Sequence, residues 1–161
     1  MQKIRSSAIN FGGSLDAFTS YMIERSLKTI VLRVRQQNQN AMEIAKFLET
    51  EKRHVKSVNY PGLKSNSGYL IAKKQMKEGF GGMLSFEIKN NPEKFLRKLH
   101  LIRRAISLGG VESTIAAPVK TSHAKLSPEE RTKVGISNNL LRLSVGIEDH
   151  RDLIHDIQNA F

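Results

Sequence analysis

Arg142 has the clearest potential for binding chemistry in this sequence, because its charge lies within an otherwise apolar stretch. Residues 140–145 alternate as in a β-strand, so that Arg142 and Ser144 share one face while Leu141 and Leu143 share the other. A guanidinium on a sheet face needs an anion or a dense shell of hydrogen-bond acceptors. Its planar, forked donors match a carboxylate, which they bind through two parallel hydrogen bonds.

A structural role for Arg142 is the alternative. In that case the strand lies at a sheet edge and the side chain extends to water. A second structural possibility is that the guanidinium pairs with Glu148 or Asp149, which follow a few residues later. The position of Arg142 alone leaves the carboxylate-binding and the structural interpretation open.

A second candidate is the segment Ser107-Leu108-Gly109-Gly110, called the Ser107 turn below. Paired glycines let a backbone approach a ligand closely, because they have no Cβ. Ser107 adds a side-chain oxygen beside the N–H groups that such a turn exposes. The alternative is an ordinary loop turn without a ligand.

The composition excludes several other kinds of chemistry. The chain has no Cys, which rules out disulfides, thiolate catalysis and zinc fingers, and its five His residues have no metal-site spacing, so we expect no metal. The formal net charge is +11, but no nucleic-acid-binding motif accompanies the scattered basic residues. We therefore expect the charges to lie on solvated faces and expect no nucleic-acid partner. A basic nucleic-acid binder, or attraction to another anionic partner, is the alternative that only the net charge favours. Without an apolar run of membrane-spanning length, we expect a cytoplasmic protein with no membrane partner.

The predicted helices and strands that position Arg142 and Ser107 follow one another in an order that indicates an α/β or α+β fold, in which helices cover a mixed sheet. The length of 161 residues fits one domain. We expect a flexible lead-in over residues 1–13, linking helices over 14–51 with an N-cap at Ser14, and a C-terminal α/β domain over 52–161. The polar stretch 36–40 in the long helix predicts a bend or a helix that leaves the core for solvent. Predicted strands cover 55–59, 83–88, 101–106, 111–117 and 140–145, and predicted helices cover 69–77, 92–99, 128–134 and 150–161.

Eight segments of the sequence form one ordered pattern: RSLKT (25–29), NA (40–41), YPGL (60–63), FGGMLSF (80–86), SLGGVES (107–113), SH (122–123), GI (135–136) and LRLSVGIED (141–149). In this order they resemble the C-terminal part of the Cys/Met-metabolism family of pyridoxal-phosphate (PLP) enzymes, which includes cystathionine γ-synthase, β-lyase and γ-lyase and methionine γ-lyase. Together they span nearly the whole chain from about residue 11 onward. Their shared order makes the resemblance more specific than any one of them.

The resemblance implies the C-terminal domain of a fold-type I PLP enzyme, a small mixed sheet preceded by a long linking helix. It also implies that Arg142 binds the substrate α-carboxylate and that Ser107 lies beside the same carboxylate. The residue before that serine influences the reaction type, and the apolar Ile106 at this position indicates a lyase. The implied substrates are sulfur amino acids such as cystathionine.

The sequence also departs from the family pattern. It lacks the motifs of an N-terminal cofactor domain, including the Schiff-base lysine, and Lys28 belongs to the linking helix. We therefore expect no catalytic and no cofactor-binding residue in this chain, and no direct PLP binding by it alone. The resulting hypothesis is a fragment, split subunit or truncated homologue that is inactive alone and works with a cofactor domain or as a homo-oligomer. The alternative is a non-catalytic module of the same ancestry that binds an amino acid or a protein.

Overall fold

A computed structural model describes residues 1–12 and 15–161. Ser14, the predicted N-cap, lies outside the described residues. The chain divides into two compact units, Met1–Leu32 and Arg33–Phe161. None of the described helices is both long enough and apolar enough to cross a membrane.

The first unit is helical from its start. Helix α1 covers Gln2–Phe11 and ends at Gly12, whose φ of 76° favours glycine. The structure therefore has a helix where the sequence predicted a flexible lead-in, because residues 2–11 contain neither Gly nor Pro to interrupt one. Helix α2 covers Ala17–Leu27, and Asp16 caps it by accepting a hydrogen bond from the Thr19 N–H.

Helix α3, Ile30–Thr50, lies within the long helical stretch that the sequence predicted for this part of the chain. Its C-terminal half carries an apolar stripe at helical spacing, which packs into the core of the second unit. The stripe consists of Ala41, Ile44, Ala45 and Leu48. A polar segment precedes this stripe, and two of its residues, Gln37 and Asn40, are buried as well.

The described strands of the second unit form one five-stranded mixed sheet in the order β1-β2-β5-β4-β3. The strands are β1 (Val55–Asn59), β2 (Met83–Ile88), β3 (Arg103–Arg104), β4 (Thr114–Ala116) and β5 (Leu140–Ser144). β1, β2, β5 and β4 pair antiparallel in turn, and β3 pairs with β4 in parallel. The predicted fold class is confirmed.

Alternation along β2 and β5 gives the sheet one apolar face. Leu84 lies opposite Leu143 and Phe86 lies opposite Leu141, so these side chains form a continuous buried row. The helices after β1 are α4 (Tyr69–Gln75), α5 (Pro92–Lys98), α6 (Pro128–Lys133) and α7 (His150–Ala160), with a short 3-10 helix at Pro118–Lys120. Of these α-helices, α5 and α7 contribute buried side chains to the same core.

β3 and β4 are shorter than the sequence predicted. Residues 111 and 113 lie before β4, and both bond to the segment after β5. The Ile147 N–H donates to the Val111 carbonyl oxygen at 2.8 Å, and the Ser113 N–H donates to the Glu148 carboxylate at 2.6 Å. These bonds join residues 111–113 to the segment after β5. The candidate site lies in this region.

Candidate carboxylate-binding site

Arg142 lies on the middle strand of the sheet, on the face opposite the buried row. Its register partners are Ser85 on β2 and Ala116 on β4. The Arg142 Nη2 donates a hydrogen bond to the Ile106 carbonyl oxygen at 2.8 Å. Since a guanidinium carries five N–H groups, this bond orients the group and leaves further donors for an anion.

The structural alternatives for Arg142 are not formed among the described residues. β5 is not an edge strand. The Glu148 carboxylate accepts hydrogen bonds from Ser113. Asp149 is engaged by Arg151, whose Nη2 lies 2.6 Å from a carboxylate oxygen and whose hydrogen bonds hold the pKa of Asp149 well below its ordinary value. The acceptor that Arg142 contacts is therefore a backbone carbonyl and not a carboxylate.

Two hydroxyl side chains hold the Ser107 turn against the Arg142 face of the sheet. Thr114 on β4 and Ser144 on β5 are register partners, and both are buried. The Thr114 Oγ1 donates to the Ser107 carbonyl oxygen at 2.6 Å, and the Gly109 N–H donates to the Ser144 Oγ at 2.9 Å. The turn therefore covers these polar residues, which satisfies them and places Ser107 next in sequence to the carbonyl that Arg142 binds.

Glycine is required in the Ser107 turn for its backbone conformation. Gly109 has a φ of 74°, in the left-handed region that favours residues without a Cβ. A Cβ at Gly109 would meet nothing within 4 Å, so the constraint lies in the backbone and not in packing. Of the two paired glycines in this turn, Gly109 is therefore the one whose backbone conformation requires glycine.

Helix α3 supplies a third support through its polar segment. Gln37 and Asn40 are buried, so the expectation that the helix leaves the core for solvent is wrong at both positions. The Gln37 Nε2 donates to the Gly110 carbonyl oxygen at 2.7 Å. The Asn40 Nδ2 donates to the carbonyl oxygens of Gly146 at 3.1 Å and Glu148 at 2.7 Å. Burial is tolerated because backbone carbonyls of distant loops accept these hydrogen bonds.

Ser113 and Glu148 join the two loops that α3 contacts. The Ser113 Oγ donates to the Glu148 carboxylate at 2.9 Å and accepts from the Gly146 N–H at 2.9 Å. A Cβ at Gly146 would collide with the Val111 carbonyl oxygen and the Glu148 carboxylate. The segment after β5 and the segment after the Ser107 turn are therefore packed too closely for any residue but glycine at position 146.

The structure brings together the three residues that the resemblance singled out, Ile106, Ser107 and Arg142. The Ile106 side chain is 63% exposed beside them. Sequence reasoning missed the supporting Thr114 and Gln37. Thr114 carried a weak signal, since it is a polar residue at the start of a short apolar strand, whereas nothing local indicated the contact of Gln37 with Gly110, 73 residues away.

The cluster presents guanidinium donors on a sheet face, beside a turn to which three side chains form hydrogen bonds. Donors of this planar geometry match a carboxylate. A fixed guanidinium loses less entropy when it binds an anion than a mobile one, which favours planar, bidentate recognition. Among the described residues, no group of three or more His, Asp or Glu side chains could hold a metal ion.

Comparison with known proteins decides the family. A family model described as "Cys/Met metabolism PLP-dependent enzyme" matches residues 1–161. The chain belongs to this family. Its members include curated enzymes that share close to half of the aligned residues with this chain.

Two curated relatives and one solved structure represent the Cys/Met metabolism family. Cystathionine beta-lyase of Lactococcus lactis subsp. cremoris (strain MG1363) is 45% identical over 153 residues, 94% of this chain and 40% of the relative. Cystathionine gamma-synthase of Escherichia coli (strain K12) is 45% identical over 157 residues, 96% of this chain and 40% of the relative. The crystal structure of yeast cystathionine gamma-lyase superposes with a TM-score of 0.88 at 41% identity, covering 94% of this chain and 39% of that one. The chain thus spans about two fifths of the length of the relatives it matches.

The described residues of this site do not fit as the holder of PLP, the cofactor of the family. When bound to an enzyme, PLP supplies an electron sink and is held by a lysine Schiff base. The described side chains that bond to the Ser107 turn are those of Gln37, Thr114 and Ser144, with Arg142 on Ile106 beside it. None of these is a lysine. Of this set, the Arg142 guanidinium has the donor geometry that matches a carboxylate.

Proposed function

We propose that this chain is the C-terminal, substrate-carboxylate-binding domain of a PLP-dependent transsulfuration enzyme. The proposed substrates are sulfur amino acids such as cystathionine, and Arg142 and Ser107 bind the α-carboxylate. The observation that carries the proposal is the Arg142 guanidinium on the middle strand, bonded to the Ile106 carbonyl directly before Ser107. Membership of the Cys/Met metabolism family gives that geometry its substrate class.

Ile106 favours a lyase over an enzyme that uses an acidic group at this position. Its side chain is apolar and largely exposed beside the proposed carboxylate site. An apolar surface there offers no charge to bind or move a proton on the substrate side chain. The relatives include cystathionine beta-lyases, gamma-lyases and a gamma-synthase, so Ile106 selects among reactions that the family performs.

The proposed function requires a partner that supplies the cofactor. Helix α2 carries no buried residue, and Phe18 and Tyr21 are 72% and 57% exposed. Exposed aromatic side chains of this kind mark an interaction surface. We propose that this surface meets a cofactor-binding domain, and that a second copy of the chain is the alternative occupant. We also propose that the 161 residues catalyse no reaction alone and act in the cytoplasm.

A fusion enzyme tests the function. The chain replaces the stretch of Lactococcus lactis cystathionine beta-lyase that it matches over 153 residues, and thiol release from cystathionine is measured. We expect turnover by the fusion and none by the chain alone. A folded fusion that binds PLP but releases no thiol contradicts the proposal, and binding of an amino acid by that inactive protein favours the non-catalytic module.

Cofactor binding by the chain alone is tested separately. The purified chain is mixed with PLP, treated with borohydride and mapped for modified lysines. We expect only weak labelling spread over many surface lysines. A saturable absorbance band fixed on one lysine would contradict the proposed division of roles between this chain and a cofactor-binding partner.

A further inference from the structure

Two polar side chains on one turn of α3 contact both halves of the proposed carboxylate site. Gln37 and Asn40 are three residues apart, so they lie on the same face of the helix. Gln37 donates to the carbonyl of Gly110, the last residue of the Ser107 turn. Asn40 donates to the carbonyl of Gly146, four residues after Arg142. One helical turn therefore bonds to the turn that carries Ser107 and to the segment directly after the strand that carries Arg142.

The buried position of Gln37 is not explained by core packing. Its side chain is 7% exposed, and a buried amide costs free energy unless it is hydrogen-bonded. Methionine has a similar length, fills irregular core space and has at least equal helix propensity. The feature that glutamine adds is the N–H group that donates to the Gly110 carbonyl, a hydrogen bond to the turn in addition to those of Thr114 and Ser144.

We propose that Gln37 and Asn40 are positioning residues that set the distance between the Ser107 turn and Arg142, and hence the affinity for the substrate carboxylate. Neither residue touches the substrate in this account. Gln37 acts through the turn, which fixes the Ile106 carbonyl that orients the Arg142 guanidinium. The proposal rests on the proposed function, because the carboxylate is the ligand whose affinity it concerns.

The decisive experiment is a double-mutant cycle in the fusion enzyme. We expect Gln37→Met to raise KM for cystathionine about threefold to tenfold, the effect of one hydrogen bond, with little change in kcat. Because Gln37 acts through Arg142, the same substitution should cause no further rise in KM in the Arg142→Ala background. Gln39→Ala, an exposed position on the same turn, is the matched control and should leave KM unchanged.

A readout without activity separates this proposal from the proposed function. In the chain alone, Gln37→Met should accelerate amide hydrogen exchange at Gly109, which bonds to Ser144, by about threefold to tenfold. The Lys89 amide, which bonds to the His54 carbonyl on a distant part of the sheet, should not change. This measurement decides the geometry even if the fusion proves inactive.

The possible results distinguish a failure of the positioning role from a failure of the proposed function. An unchanged KM in Gln37→Met, or an equal rise in KM with and without Arg142, overturns the positioning role while leaving the proposed function intact. Unchanged exchange at Gly109 overturns it as well. An unchanged KM in Arg142→Ala contradicts the proposed function itself, whatever the effect of Gln37→Met.

Discussion

Replacing Asn40 by alanine should destabilise the second unit strongly, because this side chain bonds to three groups at once. Its Nδ2 donates to the carbonyls of Gly146 and Glu148, and its Oδ1 accepts from the Gln36 Nε2 at 2.8 Å. Asn40 is fully buried, so alanine leaves both carbonyls without their donor.

The magnitude follows from those two carbonyls. Each buried acceptor left unpaired costs about 1–3 kcal/mol, so the loss is about 2–6 kcal/mol. The higher helix propensity of alanine offsets about 0.7 kcal/mol of this loss in the free energy of unfolding. For a chain of this length, each kcal/mol shifts the melting temperature by roughly 2–4 °C. We therefore expect Asn40→Ala to lower the melting temperature by about 3–20 °C.

Thermal unfolding followed by circular dichroism measures this change. Gln39→Ala is the control, since an exposed substitution on the same helical turn should alter the free energy of unfolding by no more than about 0.5 kcal/mol. If Asn40→Ala destabilises the chain no more than Gln39→Ala does, the bonds from α3 to the loop after β5 do not stabilise the fold as argued.

Two further predictions concern the glycines and the charges around the site. Gly146→Ala should destabilise the chain more than Gly109→Ala, because a Cβ at position 146 would collide with the Val111 carbonyl oxygen. At position 109 the cost is only the backbone strain of a left-handed conformation, about 1–2 kcal/mol. Equal midpoints of urea unfolding for the two variants would argue against this packing. Hydrogen bonds from Lys120 and then Arg104 lower the pKa of Glu93 from 4.5 to about 2, so its stabilisation is complete above pH 4.5 and is lost as the pH falls to about 2. Glu93→Gln should reduce the loss of stability across that window, and an unchanged acid denaturation profile would refute the assignment.

Local patterns predicted the parts of the fold that depend on neighbours in sequence. The alternation around Arg142 gave the correct faces of β5, and Asn91 and Ser127, each followed by proline, marked the starts of α5 and α6. Each of these signals depends only on residues within one helical turn or one strand. The same is true of Asp149, which caps α7.

The features that the sequence could not predict depend on contacts between segments that are far apart along the chain. Gln37 and Asn40 look like solvent-facing residues of a helix, because the carbonyls they bind lie 73 and 106 residues away along the chain. The bond from the Ser113 N–H to the Glu148 carboxylate likewise joins residues that are 35 apart along the chain. Such polar contacts leave no periodic trace in the sequence.

The Michaelis constant of the fusion enzyme with Arg142 replaced tests the central claim most directly. Loss of a bidentate, charge-assisted pair should raise KM for cystathionine on the order of a hundredfold in Arg142→Ala. Arg142→Lys should recover only part of this loss, because an ammonium cannot reproduce the planar fork. A KM for Arg142→Ala within about threefold of the unsubstituted fusion, in a protein with the same melting temperature, would contradict the assignment of Arg142 as the carboxylate anchor.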